Sequence, residues 1–167
     1  LDLLAMYTRR EADDYKSGDG TTVVPSGVTS SSYLLKGRYY IGGDQDHSIW
    51  ATYQNWLSDS TQIYDQAEAF GTMPVRRKVD DITATFGYEN DFGGSKLFDL
   101  EAQVSYANSK VEQRETTFLS GVVYSEFSYE TWQGRIQNTS RFDWGEDWTG
   151  FLFLGAQAYT QERRNPR

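Results

Sequence analysis

Asp99 and Glu101 stand two residues apart on one side of an extended segment, which by strand rise separates them by about 7 Å. That spacing could serve a paired acid and base. Gln103 and Ser105 continue the same polar stripe, and no nucleophile motif accompanies it, so the stripe reads as a solvated wall. The stretch "DDYKSGDG" gathers Asp13, Asp14 and Asp19 near glycine, a composition that could attract calcium, but the ligand spacing of an EF-hand loop is missing. It reads as an acidic, solvated loop. His47, the single histidine, lies beside a Gly/Asp-rich turn and reads as a turn residue. The chain has no cysteine, which removes disulfides, thiolate metal sites and cysteine nucleophiles. The expectation is a non-enzyme with no catalytic residues, no metal and no intrinsic cofactor.

Two stretches suit binding better than catalysis. In "TTFLSGVVYSEFSYETW", Phe118, Tyr124, Phe127 and Tyr129 belong to a segment too apolar for a plain solvated connection. Either the rings form a contact surface for a ligand or a protein, or the flanking strands extend into a hairpin and pack them on neighbouring loops. In "GTMPVRR", Arg76 and Arg77 could meet phosphates, a partner protein or water.

Composition narrows the setting of these residues. The 167-residue chain has a formal charge of −8 and a pI near 4.6, which argues against a nucleic-acid partner, because neutralising phosphates needs clustered Lys and Arg. Only 38% of residues are hydrophobic, yet 16% are aromatic, and Tyr (12) outnumbers Phe (9) and Trp (5). Such amphipathic rings suit sites with one end in hydrocarbon and the other in water. No apolar run is long enough for a transmembrane helix.

The elements that would position these residues alternate. In "DITATFGYENDFGGSKLFDLEAQVSYA", Ile82, Ala84, Phe86 and Tyr88 share a face, with Thr83, Thr85, Gly87 and Glu89 behind them. Past a turn, Phe98, Leu100, Ala102, Val104 and Tyr106 oppose Asp99, Glu101, Gln103 and Ser105. Leu3, Ala5 and Tyr7; Tyr33 to Ile41; Ile49 to Leu57; Trp132 to Ile136; and Leu152 to Ala158 give five more such faces. The segments run about ten to twelve residues, near the 9–11 that a tilted strand needs to cross a bilayer and longer than a typical soluble strand. Connections at 42–47, 90–96 and 143–147 read as tight, whereas those at 11–31, 58–79 and 108–130 read as long.

Together these features predict an all-β antiparallel transmembrane β-barrel segment: apolar side chains toward lipid, polar ones toward a wet or plugged lumen, short periplasmic turns and long extracellular loops. Arg76 and Arg77 would then meet lipopolysaccharide phosphates, a partner protein or simply water. Seven strands is an odd number, and the first and last read as strands entered midway, so residues 1–167 are expected to be part of one larger barrel domain. A complete eight-stranded barrel acting as adhesin or anchor, and a soluble lipocalin-like binder with its apolar face turned inward, are the alternatives.

The stretch "SSYLLKGRYYIGGDQDHSIWATYQNWLSDS" resembles the strand pairs of TonB-dependent outer-membrane receptors, as do "YTRREADDYKSGDG" and "IQNTSRFDWGEDWTGFLFLGAQAYTQERR". Within that family the likeness is closest to the heme and hemophore receptor branch. The resemblance implies a plugged 22-stranded transporter of the bacterial outer membrane, of which this chain would supply about a third. It implies active import of heme, delivered free or by a hemophore or hemoprotein, or of another iron chelate such as a siderophore. It also implies contact with the TonB complex through a plug outside this chain.

Overall fold

Alternation of β-branched and aromatic residues with polar ones favours pleated strands that present different faces to different surroundings. The computed structural model, which describes residues 1–23, 25–43, 47–63, 74–117, 121–144 and 148–165, carries this alternation through seven strands. At 62–63 and 116–117 only the backbone is described. The strands are β1 (Asp2–Ala12), β2 (Val28–Ile41), β3 (His47–Ile63), β4 (Pro74–Asn90), β5 (Leu100–Thr117), β6 (Gly121–Trp144) and β7 (Trp148–Arg164). They form one antiparallel sheet in the order β1-β2-β3-β4-β5-β6-β7, each strand paired with its neighbours in sequence.

The strands are longer than the alternation alone indicated. β3, β4 and β7 have 17 residues each, β5 has 18 and β6 has 24. Most of 108–130, expected as a loop, is therefore strand, with Asn108↔Glu130 through Thr117↔Gly121 in register. The expected loop residues Arg76 and Arg77 lie in β4, and Tyr124, Phe127 and Tyr129 lie in β6. Their backbone groups are satisfied by strand pairing, which explains why a mixed apolar and charged stretch stays extended.

At the opposite end the β4–β5 turn is longer than expected, and Phe98 and Asp99 precede the strand. Phe92 there adopts a left-handed φ of 52°, held by its amide donating to Asn90 Oδ1 at 2.7 Å. Gly93 and Gly94 follow at φ 70° and 74°, a conformation glycine adopts without steric cost.

Register places every side chain on one of two faces. One central row reads Leu3, Gly37, Ala51, Phe86, Val104, Gly134, Ala158; the next residue along each strand starts the opposite row, Leu4, Lys36, Thr52, Thr85, Ser105, Gln133, Tyr159. The apolar face is uncovered: Leu3 is 77% exposed, Leu35 53% and Phe86 51%. Among the described residues the buried hydrophobics are Val75 and Val111 alone, both on the polar side and beyond the apolar band. The apolar residues thus meet neither a second layer nor each other across an interior.

Candidate functional site

The apolar face has an internal order. Toward the end that carries the 13–27 and 64–73 connections it is edged by Tyr7 and Tyr33, with ring centroids 4.9 Å apart, and by Tyr106 and Trp132, 4.8 Å apart. Toward the other end the same face carries Tyr39, Tyr88, Phe142, Trp144 and Trp148, with Phe142 and Trp144 stacked at 6.1 Å. Between the aromatic edges lie chiefly aliphatic and small residues, with Phe86 at the centre and Asn138 and Ser140 as polar members on β6. From Trp132 to Trp144 along β6 is roughly 40 Å, or about 28 Å along the normal of a strand tilted by 45°.

The band also descends across the sheet. The row that starts at Tyr7 and Tyr33 passes Asn55, Ile82 and Asn108 and ends on Glu130 and Glu162. The band therefore crosses the strand rows obliquely, at an angle to the strands.

Above the band, on the same face, the surface turns charged. Arg76 donates from Nε and Nη2 to the two oxygens of Asp59 at 3.0 and 2.6 Å. Lys110 pairs with Glu112 at 2.9 Å and Glu126 at 3.2 Å. The Arg76 guanidinium holds the Asp59 carboxyl below its usual range, and hydrogen bonding from the Lys110 ammonium does the same for Glu112.

The polar face is organised around ion pairs. Arg38 donates to both oxygens of Glu89 and, at 3.2 Å, to Ser48 Oγ; Arg135 donates to Glu101. Glu89 and Glu101 stand directly opposite each other across β4 and β5, so the flanking arginines offset a like-charge contact that alone would destabilise the pairing. Beside them the Trp50 indole lies over Gly87, where an added Cβ would come within 2.3 Å of Cε2. Among the described residues, the buried polar atoms Trp50 Nε1, Arg77 Nε, Asp81 Oδ1 and Arg135 Nε on this face have no hydrogen-bond partner.

The expected binding residues do not converge on one site. Arg77, Phe127 and Tyr129 belong to the polar face, whereas Arg76 and Tyr124 belong to the apolar and charged one. Phe127 and Tyr129 pack edge to face at 6.5 Å, and Arg163 sits 5.6 Å over the Tyr129 ring. Phe118 lies outside the described residues. His47 starts β3, with Nδ1 3.1 Å from the Tyr88 hydroxyl. Glu101 is engaged by Arg135 and is not paired with Asp99. Asp14 accepts the Ser26 and Gly27 amides at 2.5 and 2.7 Å, and Asp19 accepts the Thr21 amide at 2.9 Å and the Ser17 hydroxyl at 2.5 Å. Those carboxylates shape the 13–27 loop.

The Trp50–Gly87 contact has a single signal in the sequence. A lone glycine inside an alternating strand is a sign of close approach by a neighbour, and Gly87 was such a sign.

Compared with known proteins, the chain matches no family model, no curated protein and no solved structure.

Proposed function

We propose that this sheet is a wall segment of a transmembrane β-barrel in the bacterial outer membrane, within a TonB-dependent receptor that imports heme or another iron chelate. One observation carries the reading: a continuous, uncovered apolar face edged by aromatic rows, with an ion-paired polar face behind it. Water would penalise that apolar face, whereas hydrocarbon removes the penalty. The oblique descent of the band and its roughly 28 Å height agree with tilted, membrane-crossing strands. The unmatched polar atoms of the other face suit a lumen that supplies water or a plug.

Among the described residues both edge strands, β1 and β7, pair on one side only. In hydrocarbon their free amides and carbonyls would need partners, which favours a larger barrel over a seven-stranded unit. In such a receptor this chain contributes wall and protruding strand ends; the TonB complex acts through a plug elsewhere, and a hemophore or hemoprotein would approach the protruding ends.

The orientation is tested in the full-length protein. Because the chain lacks cysteine, single cysteines at Phe86 and Thr85 can carry an environment-sensitive fluorophore. In vesicles containing nitroxide-labelled lipid, the probe at 86 is quenched and that at 85 is not. Equal quenching rejects the membrane reading. Titrating heme into the same protein tests the cargo: no absorbance change removes heme and leaves the other chelates.

A further inference from the structure

On the polar face one side chain rests in a place that exists because its neighbour has none. The Trp50 indole lies across Gly87, its direct partner on β4, so closely that a Cβ there would come within 2.3 Å of Cε2 and 2.7 Å of Nε1. The other directions along the sheet are closed. Arg38 stands directly opposite Trp50 on β2. Its guanidinium spans β3 to reach Glu89 on β4, donating on the way to Ser48 Oγ at 3.2 Å, two residues from Trp50 on the same face. Ser48 itself is buried. The indole therefore has two places: flat in the Gly87 gap, or upright, away from the sheet.

The flat place is imperfect. Nε1 is buried there and, among the described residues, has no hydrogen-bond partner, and a buried donor without an acceptor forfeits much of what burial of the ring gains. Gln103, next across the sheet from Gly87, does not accept from it. Standing upright returns the N–H to oxygen acceptors and gives up the contact of the ring with the backbone at 87. Opposed effects of similar size leave two states close in free energy, the lesser one populated at about 0.1–10%. Trp56, on the same face of β3, stands opposite Asp81 instead of a glycine and has no such gap.

We propose that Trp50 is a two-position side chain of the lumen wall: flat over Gly87 at rest, and upright in a minor state in which Nε1 donates to an oxygen acceptor within the lumen. Upright, the ring narrows the passage beside the Arg38–Glu89 bridge; flat, it clears it. This rests on the lumen assigned to the polar face above and adds a moving part to its wall.

The test uses the full-length protein in detergent, with isotope-labelled tryptophan, and reads hydrogen exchange by NMR at the Trp50 indole N–H, identified as the signal that Trp50→Phe removes. Exchange requires the upright state, so the protection factor is the inverse of its population, about 10–1,000 in wild type. Gly87→Ala fills the gap and is expected to abolish that protection. Protection as great as that of the β3 ladder amides would mean that the ring leaves the gap only on unfolding, and overturns the proposal. A wild-type N–H without protection overturns it too, as does protection that Gly87→Ala leaves unchanged.

Where Gly87→Ala does not fold, the wild-type measurement decides by itself. The probes at positions 85 and 86 keep the two claims apart. Lipid quenching at 86 and not at 85, beside an indole at 50 that exchanges only as the ladder does, rejects the movement while the barrel stands. Equal quenching at both positions, beside the expected protection and its loss in Gly87→Ala, rejects the barrel while the movement stands.

Discussion

The two faces of β4 and β5 share one hydrogen-bonded ladder and differ in almost everything else. On one side a Cβ added at Gly134, in the adjoining strand, meets nothing within 4 Å; on the other a Cβ at Gly87 collides with Trp50. One side leaves large apolar groups such as Phe86 and Val104 exposed, while the other engages Arg38, Glu89, Glu101 and Arg135 in ion pairs. A sheet that invests its side-chain contacts on its polar side, and leaves its apolar side open, is complementary to an apolar surrounding. A soluble sheet does the reverse.

The largest expected effect breaks that comparison directly. Val104→Arg, in the middle of the apolar band, should lower the unfolding free energy in vesicles by about 2–4 kcal/mol. Thr83→Arg, one face over, should change it by about 0.5 kcal/mol or less. Denaturant titration of both in lipid measures the difference; similar losses would mean the faces are wrongly assigned.

Next in size is the crowding contrast. Gly87→Ala must displace the Trp50 indole and should cost about 1–3 kcal/mol, with a change in tryptophan emission. Gly134→Ala has open space and should be near neutral. If Gly87→Ala is also neutral, the polar face is not packed around Trp50.

How much of this could be read from residues follows from the period of two. Ile82, Ala84, Phe86 and Tyr88 announce their shared face because each neighbour is polar, and the seven strands with their sequential pairing follow from that pattern. Alternation fails where both faces become mixed. Between Asn108 and Glu130 charged and aromatic residues occur on either side, so nothing in the residue types separates strand from loop, and backbone pairing across β5 and β6 decides it. The same loss of contrast hid the opposite directions of Arg76 and Arg77, which differ only by parity along a strand read as a loop. The ion pairs Arg38–Glu89 and Arg135–Glu101 needed register across strands, which single-segment patterns do not carry.

A smaller effect sharpens the electrostatics of the polar face. Arg135→Gln leaves Glu101 opposite Glu89 with only Arg38 to offset two carboxylates. Both members of the Arg135–Glu101 pair are about one-third exposed, so solvent screening limits the loss to about 1 kcal/mol. Adding Glu101→Gln should restore most of it. A double variant no better than the single one would show that the guanidinium acts through packing and not through charge.

The smallest effect concerns acid, and it separates the ends of the molecule as well as its faces. The central apolar row, Leu3 to Ala158, contains no titratable group and cannot respond to pH. The 13–27 loop can: the Ser17 hydroxyl and the Thr21 amide lower the Asp19 carboxyl to about 2, and the Ser26 and Gly27 amides lower Asp14. A carboxyl depressed in the folded state stabilises that state fully above its unfolded value of 3.8 and ceases to do so as pH falls through the folded one. Between about pH 4 and pH 2 the Thr21 amide should therefore lose protection from hydrogen exchange, and the Ser26 amide should lose it as pH falls through the lowered Asp14 value, while the lipid quenching of a probe at Phe86 stays constant. Asp19→Asn should flatten the Thr21 response and leave that of Ser26, which depends on Asp14. If the probe at 86 shifts before the loop amides do, the apolar band is being held by the charged end of the sheet and not by its own surroundings.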